Sequence, residues 1–200
     1  MNSDLLVHGL ELIVALASVL SEHLLARGKL TGWVWAIIAS ILAGFFFLLR
    51  GHTILALVEV LNVPFAIYGF HKWKLRIEKI TKTDNIMAYS AIVVVIVYFF
   101  YGEGETYATQ IITSSASGAF LIGGLLITRN KRFGWYISIV ADILLMYVLL
   151  KSNDYIFVFF QTISIYIAIK KIFFTISTKK STVLQDCAFL IGSERGRMFE

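Results

Sequence analysis

The sequence predicts an all-helical membrane protein whose seven transmembrane helices are arranged as three, one and three. Apolar residues make up 58% of the 200 residues and there is one proline. The mean hydropathy of +0.78 is well above that of a soluble domain of this size. The apolar residues fall in runs of about 20, the length that an α-helix needs to cross a bilayer. A repeat between the two halves, described below, groups the helices.

Short polar stretches separate seven apolar segments. The segments cover roughly residues 5–25, 31–49, 53–71, 87–102, 107–127, 134–150 and 154–175. The first segment follows "MNSD" directly and lacks the basic region of a cleavable signal peptide, so we expect this helix to be retained.

Lysine and arginine residues are distributed unevenly between the two sides of these segments. The N-terminus and the second, fourth and sixth loops contain only Arg50 and Lys151, whereas the other loops and the C-terminal part of the chain, from Lys170 onward, contain all the rest. The positive-inside rule therefore predicts a cytoplasmic C-terminus and an N-terminus outside. Because topology explains the basic charge, we expect no nucleic-acid partner.

The chain repeats itself at an offset of 102 residues. The sequence "ARGKLTGWVWAIIASILAGFFFLL" around the second helix corresponds to "ITRNKRFGWYISIVADILLMYVLL" around the sixth. The matched positions are Arg27 and Arg129, Lys29 and Lys131, Gly32–Trp33 and Gly134–Trp135, Ala39 and Ala141, and Glu59 and Gln161.

The repeat predicts four regions along the chain. They are a first three-helix repeat (1–76), a loop and linker helix (77–104), a second repeat (105–176) and a cytoplasmic tail (177–200). Because the linker crosses the membrane once, both repeats run in the same direction. Transporters use such parallel repeats to build a central site and expose it alternately to each side.

Polar residues recur at helical spacing within the apolar segments, so each of these helices has one polar face. These residues are Trp135, Ser138 and Asp142 on the sixth helix, Gln110, Ser114 and Ser117 on the fifth, Glu11, Ser18 and Glu22 on the first, His52, Glu59 and Asn62 on the third, and Gln161 and Ser164 on the seventh. For the serines, interhelical packing is an alternative interpretation.

Asp142 and Glu59 are the main candidates for substrate binding. A charge in mid-membrane costs about 3 kcal/mol and must face a partner or a wet cavity. No basic residue lies at their depth, which favours a polar or cationic ligand. We expect Asp142, Glu59, Gln161 and Asn62 to bind the ligand's polar groups, with help from Ser138, Gln110 and Ser114.

Tryptophans are candidates for stacking on a ring of the ligand. Trp135 and Trp35 are the residues that we expect in this role, although tryptophans near helix ends also occur as interfacial anchors. The four histidines lack the spacing of a metal site, no Walker motif is present, and Cys187 is the only cysteine. We therefore predict no metal, no cofactor and no enzymatic activity.

The first three-helix repeat contains, at residues 8–73, the sequence "HGLELIVALASVLSEHLLARGKLTGWVWAIIASILAGFFFLLRGHTILALVEVLNVPFAIYGFHKW". This sequence, followed by a second group of three helices, resembles the PnuC family of bacterial vitamin transporters. The likeness covers roughly residues 8–172, and "IYGFHKW" is similar to the family's "YGW..W" ending. The resemblance implies a fold similar to that of SWEET sugar transporters, a location in the bacterial inner membrane, and in many members a homotrimer. It also implies facilitated diffusion of an unphosphorylated vitamin that is trapped by phosphorylation in the cytoplasm.

The resemblance places family substrate positions on Asp142, Trp135 and Glu59. The pattern of nicotinamide riboside carriers in the family is similar to "WxxWxxxN" at these positions. This chain has Trp135, Ser138 and Asp142 there. Acidic residues at positions where the family usually has amides favour a cation, which describes both nicotinamide riboside and thiamine. The alternatives are a proton-coupled carrier of the same substrates, a seven-helix sensor and an intramembrane enzyme that uses Asp142 and Glu59.

Overall fold

The computed structural model describes residues 3–51, 53–77, 81–101, 106–129 and 131–174, which form seven α-helices and no strand. The helices are α1 (Ser3–Ala26), α2 (Thr31–Leu49), α3 (Thr53–Lys74), α4 (Lys82–Tyr101), α5 (Tyr107–Thr128), α6 (Phe133–Lys151) and α7 (Tyr155–Phe174). The prediction of an all-helical chain is therefore confirmed. The predicted tail, residues 177–200, lies outside the described residues.

Five of these helices are long and apolar enough to cross a membrane, namely α1, α2, α5, α6 and α7. Helix α3 is less apolar because it contains Glu59, Asn62 and a basic last turn, and α4 begins with Lys82 and Asp84. The membrane crossing of α3 and α4 thus stays a prediction.

Two apolar clusters show that successive helices run in opposite directions. The Trp cluster joins the last turns of α1 and α5 to the first turns of α2 and α6, and the later parts of α3 and α7 to both. Its members are Leu25, Trp33, Ala66, Ile127, Trp135, Ala168 and Ile172. We call this end of the helices the basic end, because the loops containing Arg27 and Arg129 lie there.

The Phe cluster lies nearer the opposite end of the same helices. It consists of Val14, Ala15, Ala43, Phe46, Phe47, Ala56, Leu149 and Phe157. The rings of Phe46 and Phe157 lie 5.2 Å apart and those of Phe47 and Phe157 lie 6.1 Å apart. This cluster therefore joins the end of α2 to the start of α7.

Six helices form a ring, and α4 lies outside it. Helix α2 packs between α1 and α3, α3 packs on α5, and α5 packs on α6. Helix α7 closes the ring, since Gln161 hydrogen-bonds to Asp142 of α6 and Ser164 hydrogen-bonds to Glu22 of α1. Helix α4 packs on α5 and α3.

The two halves pack in the same way where their matched glycines lie. A Cβ on Gly32 would be 2.7 Å from the backbone nitrogen of Leu25, and a Cβ on Gly134 would be 2.8 Å from that of Ile127. Both positions need glycine because the following helix begins so close to the preceding one. Leu25 and Ile127 are themselves separated by the repeat offset of 102 residues.

A buried ion cluster connects the halves through α4 at the basic end. The Nζ of Lys72 lies 2.8 Å from both carboxylate oxygens of Asp84, and the Nε of Arg129 lies 3.1 Å from Oδ1. Burial would raise the pKa of Asp84, but hydrogen bonds from Lys72, Thr81 and Arg129 outweigh it and hold that pKa well below its usual range. Asp84 precedes the apolar part of α4.

At the opposite end, Arg50 after α2 forms an ion pair with Asp154 before α7. This pair joins the first half directly to the second. Asp154 is buried, whereas the Arg50 side chain is 34% exposed.

Candidate functional site

A cavity of about 240 Å³ lies between the Trp cluster and the Phe cluster. All six helices of the ring contribute to its wall, and residues of both clusters bound it. Its polar lining residues are Ser18, Ser21, Glu22, Ser40, Glu59, Asn62, Ser117, Ser138, Asp142 and Gln161. A mostly apolar cavity with a few converging polar groups is the usual form of a small-molecule site.

The cavity is acidic. Its wall, as far as the structure describes the chain, contains three carboxyl groups, those of Glu22, Glu59 and Asp142, and no lysine, arginine or histidine. A ligand that enters this cavity meets negative charge without a compensating side chain in the wall.

One group of polar residues lies where α1, α6 and α7 meet. The Gln161 amide nitrogen donates a hydrogen bond of 3.0 Å to Oδ1 of Asp142. Asp142 is 1% exposed. The Ser164 hydroxyl hydrogen-bonds to Glu22. Glu22 is near enough to Asp142 for their charges to repel.

A second group lies between α2 and α3. The Glu59 carboxylate accepts hydrogen bonds from the Asn62 amide, at 3.3 Å, and from the Ser40 hydroxyl. Both donors are neutral, so they orient the carboxylate, and no cation among the described residues pairs with it.

The two groups occupy matched positions of the repeat. Ser40 corresponds to Asp142 and Glu59 corresponds to Gln161, each at the offset of 102 residues. Each half therefore joins its second and third helices by a polar pair that faces the cavity. The carboxylate is on the third helix in the first half and on the second helix in the second half.

Two matched tryptophans, Trp33 and Trp135, form the wall of the cavity at the basic end. The outer edge of the Trp33 ring lies against Gly69, where a Cβ would be 2.7 Å from Cη2. The same ring packs edge-on against Trp73 at 5.4 Å. Among the described atoms the buried N–H of Trp33 has no acceptor, so packing alone holds this ring.

The sequence of the chain matches a known family over most of its length. The family described as nicotinamide mononucleotide transporter matches residues 8–176. The chain belongs to this family, the PnuC family. No curated protein and no solved structure matches it. Membership confirms the resemblance and indicates a multi-pass membrane transporter of nicotinamide-related compounds.

Six of the nine residues predicted for the site of this PnuC-family chain line the cavity. They are Trp135, Ser138, Asp142, Glu59, Asn62 and Gln161. Helical spacing on three separate helices had put these residues on the polar faces, and the ring of helices turns those faces inward.

The other three predicted residues are placed differently. Trp35 is 36% exposed and does not line the cavity, whereas Trp33, two residues earlier, is 4% exposed and does. Ser114 is buried on α5, and Ser117, one turn later, takes the place in the wall. The side chain of Gln110 lies outside the described residues.

Glu22, Ser40 and Trp33 line the cavity although the sequence did not single them out as site residues. Ser40 could have been found from the repeat, because it is the counterpart of Asp142. Glu22 lies on the predicted polar face of α1, but its proximity to Asp142 depends on the packing of α1 beside α7. The described part of the chain contains no group of three or more His, Cys, Asp or Glu residues that could hold a metal ion.

Proposed function

We propose that this chain carries an unphosphorylated, water-soluble vitamin or nucleoside-like precursor, nicotinamide riboside or thiamine, across the bacterial inner membrane. Transport is by facilitated diffusion, and phosphorylation in the cytoplasm traps the substrate. The observation that carries the proposal is the acidic cavity, with Glu22, Glu59 and Asp142 in its wall and no basic side chain among its described lining residues.

The charge of the cavity favours a vitamin without phosphate. Nicotinamide riboside has a pyridinium cation and thiamine a thiazolium cation, so either would offset part of the buried negative charge. The phosphate of a mononucleotide would add negative charge where no described lining residue balances it, at high cost in a low-dielectric site.

The aromatic wall suits a cationic ring. Trp135 and Trp33 lie at one end of the cavity, and a cation over the face of a tryptophan gains about 1–2 kcal/mol when it is desolvated. Ser138 stands where the pattern of the family's riboside carriers has a second tryptophan. The smaller serine leaves more space beside Trp135. This difference keeps thiamine as an equal candidate.

The proposed mechanism is rocking of two three-helix repeats, residues 1–76 and 105–176, about the cavity between them. Residues of the Phe cluster line the cavity toward one end and residues of the Trp cluster line it toward the other. We place the basic end in the cytoplasm, because the positive-inside rule applies to the loops at that end. The resemblance supports a homotrimer as the assembly, with residues 77–104 linking the repeats of each subunit.

Uptake into liposomes tests the proposal. Purified protein in liposomes should equilibrate labelled nicotinamide riboside or thiamine, and Asp142→Ala should abolish this flux while the protein still inserts in the membrane. Ile143→Ala, which changes an exposed side chain of the same helix, is the matched control and should retain uptake. Unchanged flux in Asp142→Ala would remove this residue from the site, and tight binding without flux would favour a sensor.

A proton-coupled carrier is the second candidate, and the closeness of Glu22 to Asp142 favours it. Two neighbouring carboxyl groups in a low-dielectric site favour one shared proton. An entering cation would displace this proton. A pH gradient across the liposome membrane should then change the accumulation of substrate; accumulation that is independent of the gradient excludes this coupling.

A further inference from the structure

The three carboxyl groups of the cavity are not equivalent. Glu22 and Asp142 lie together at the junction of α1, α6 and α7, whereas Glu59 lies apart from them, between α2 and α3. A ligand that spans the cavity therefore meets two acidic residues on the side of α1, α6 and α7 and one acidic residue on the side of α2 and α3.

Glu22 and Asp142 place two carboxyl groups on the side of the cavity where α1, α6 and α7 meet. Their hydrogen-bond partners, Ser164 and Gln161, are neutral donors that orient the oxygens without cancelling the charge. An ionised carboxylate has about four acceptor positions, so each group retains acceptor capacity for a ligand. Two carboxyl groups within Coulombic range attract a cation more strongly than one does.

The other end has the chemistry of a hydrogen-bond acceptor. Glu59 already accepts from Ser40 and Asn62. The other two acidic residues among the described lining residues lie at the junction of α1, α6 and α7. Hydroxyl and amino groups are suitable donors to such a carboxylate.

We propose that Glu22 and Asp142 together bind the positive charge of the substrate, and that Glu59 with Ser40 and Asn62 binds an uncharged donor group at its other end. The inference rests on the proposed function and adds Glu22 to the residues that determine specificity. It assigns selectivity for cations to one junction of three helices rather than to the cavity as a whole.

The test compares ligands with and without a positive ring charge, and nicotinamide riboside and its reduced form are the pair of nearly equal shape. Nicotinamide riboside and thiamine supply the cations, and the reduced form of nicotinamide riboside, which lacks the ring charge, supplies the uncharged probe. Binding is measured by titration calorimetry on the full chain in lipid nanodiscs. The wild-type protein should bind at least one cation about tenfold or more tightly than the uncharged probe.

Substitutions distinguish the role of Glu22 and Asp142 from the role of Glu59. Glu22→Gln and Asp142→Asn should each reduce the preference for the cation by about tenfold and change the affinity for the uncharged probe little. Glu59→Gln should weaken the riboside and its reduced form by the same factor and leave the preference intact.

Two further variants guard against effects on folding. Glu22→Asp keeps the charge and should restore most of the preference. Glu11→Gln changes a buried carboxyl group of the same helix that is not a lining residue, and it should leave the preference unchanged.

The outcomes distinguish this inference from the proposed function. If the wild-type protein binds a cation but Glu22→Gln, folded as judged by gel filtration, keeps the full preference, the inference is wrong and the proposed function stands. If neither cation binds to the wild-type protein, the proposed function fails and the inference fails with it.

Discussion

Asp142 on α6 lies beside Gln161 of α7 and Glu22 of α1. A carboxylate in the middle of an apolar segment predicts a site of function because its burial is costly, and the structure places it in the cavity wall with Gln161 as donor. Its other neighbour, Glu22, is 120 residues away in the chain. Sequence periodicity cannot reveal such a neighbour, because periodicity describes one helix at a time.

Gln161→Ala should weaken substrate binding without unfolding the protein. The substitution removes the donor that orients Asp142 and an amide that we expect to bind the ligand. A lost hydrogen bond to the ligand costs about 1 kcal/mol, so the Kd should rise about fivefold or more. Thr162→Ala, at an exposed position next to it, is the matched control. An unchanged Kd in Gln161→Ala would show that this amide does not orient the carboxylate.

At the scale of the helix, hydropathy predicts the apolar part and capping determines the rest. The predicted segment 31–49 coincides with α2, whereas α4 begins five residues before the predicted 87. The extra turn is polar: the Thr81 hydroxyl accepts from the Asp84 backbone N–H at 3.3 Å, and the Asp84 carboxylate accepts from the Thr81 backbone N–H at 2.7 Å. This reciprocal capping stabilises a helix start that hydropathy does not detect.

Gly69→Ala should disturb the aromatic wall through α3. The new Cβ would lie 2.7 Å from the Trp33 ring, so the ring or the helix must move, at a cost of about 1–3 kcal/mol. We expect a lower thermal unfolding midpoint in detergent and weaker substrate binding.

Gly9→Ala is the control for this variant, since Gly9 is also helical and its new Cβ would have no neighbour within 4 Å. If Gly69→Ala unfolds at the same temperature as the wild-type protein and binds equally well, then Trp33 is not held against α3 as described.

For the whole molecule, the repeat predicted which positions correspond but not how the halves are joined. The basic residues Lys72 and Arg129 were assigned to cytoplasmic loops by counting charges. The structure shows them at the junction of α3, α4 and α5, paired with Asp84 in a cluster where Lys72 and Asp84 are almost fully buried. Ion pairs between distant segments leave no periodic signal in a sequence.

Asp84→Asn should destabilise the protein because it leaves the buried ammonium of Lys72 without its carboxylate. Removing one partner of a buried pair costs about 3–5 kcal/mol, which should lower the unfolding midpoint clearly. Asn85→Ala, at the exposed neighbouring position, should change it little. An unfolding midpoint equal to that of the wild-type protein would contradict the role of the cluster.

The pH dependence of this cluster follows from the direction of its pKa shift. The pKa of Asp84 is lower in the folded protein than its ordinary value of 3.8, so its contribution is complete above that value. It is lost only as the pH falls below 3.8 towards the folded pKa. Acidification from pH 8 to 5 should therefore not reproduce the effect of Asp84→Asn.

The two ion-paired connections between the halves that the described residues form differ in their contact with water. Dissolved ions can reach Arg50, so the connection at its end weakens as ionic strength rises, whereas Lys72 and Asp84 are shielded from them. One ion-paired connection between the halves therefore responds to the ionic strength of the medium, and the other does not. We expect added salt to weaken the packing of the halves at the Arg50 end before it affects the basic end.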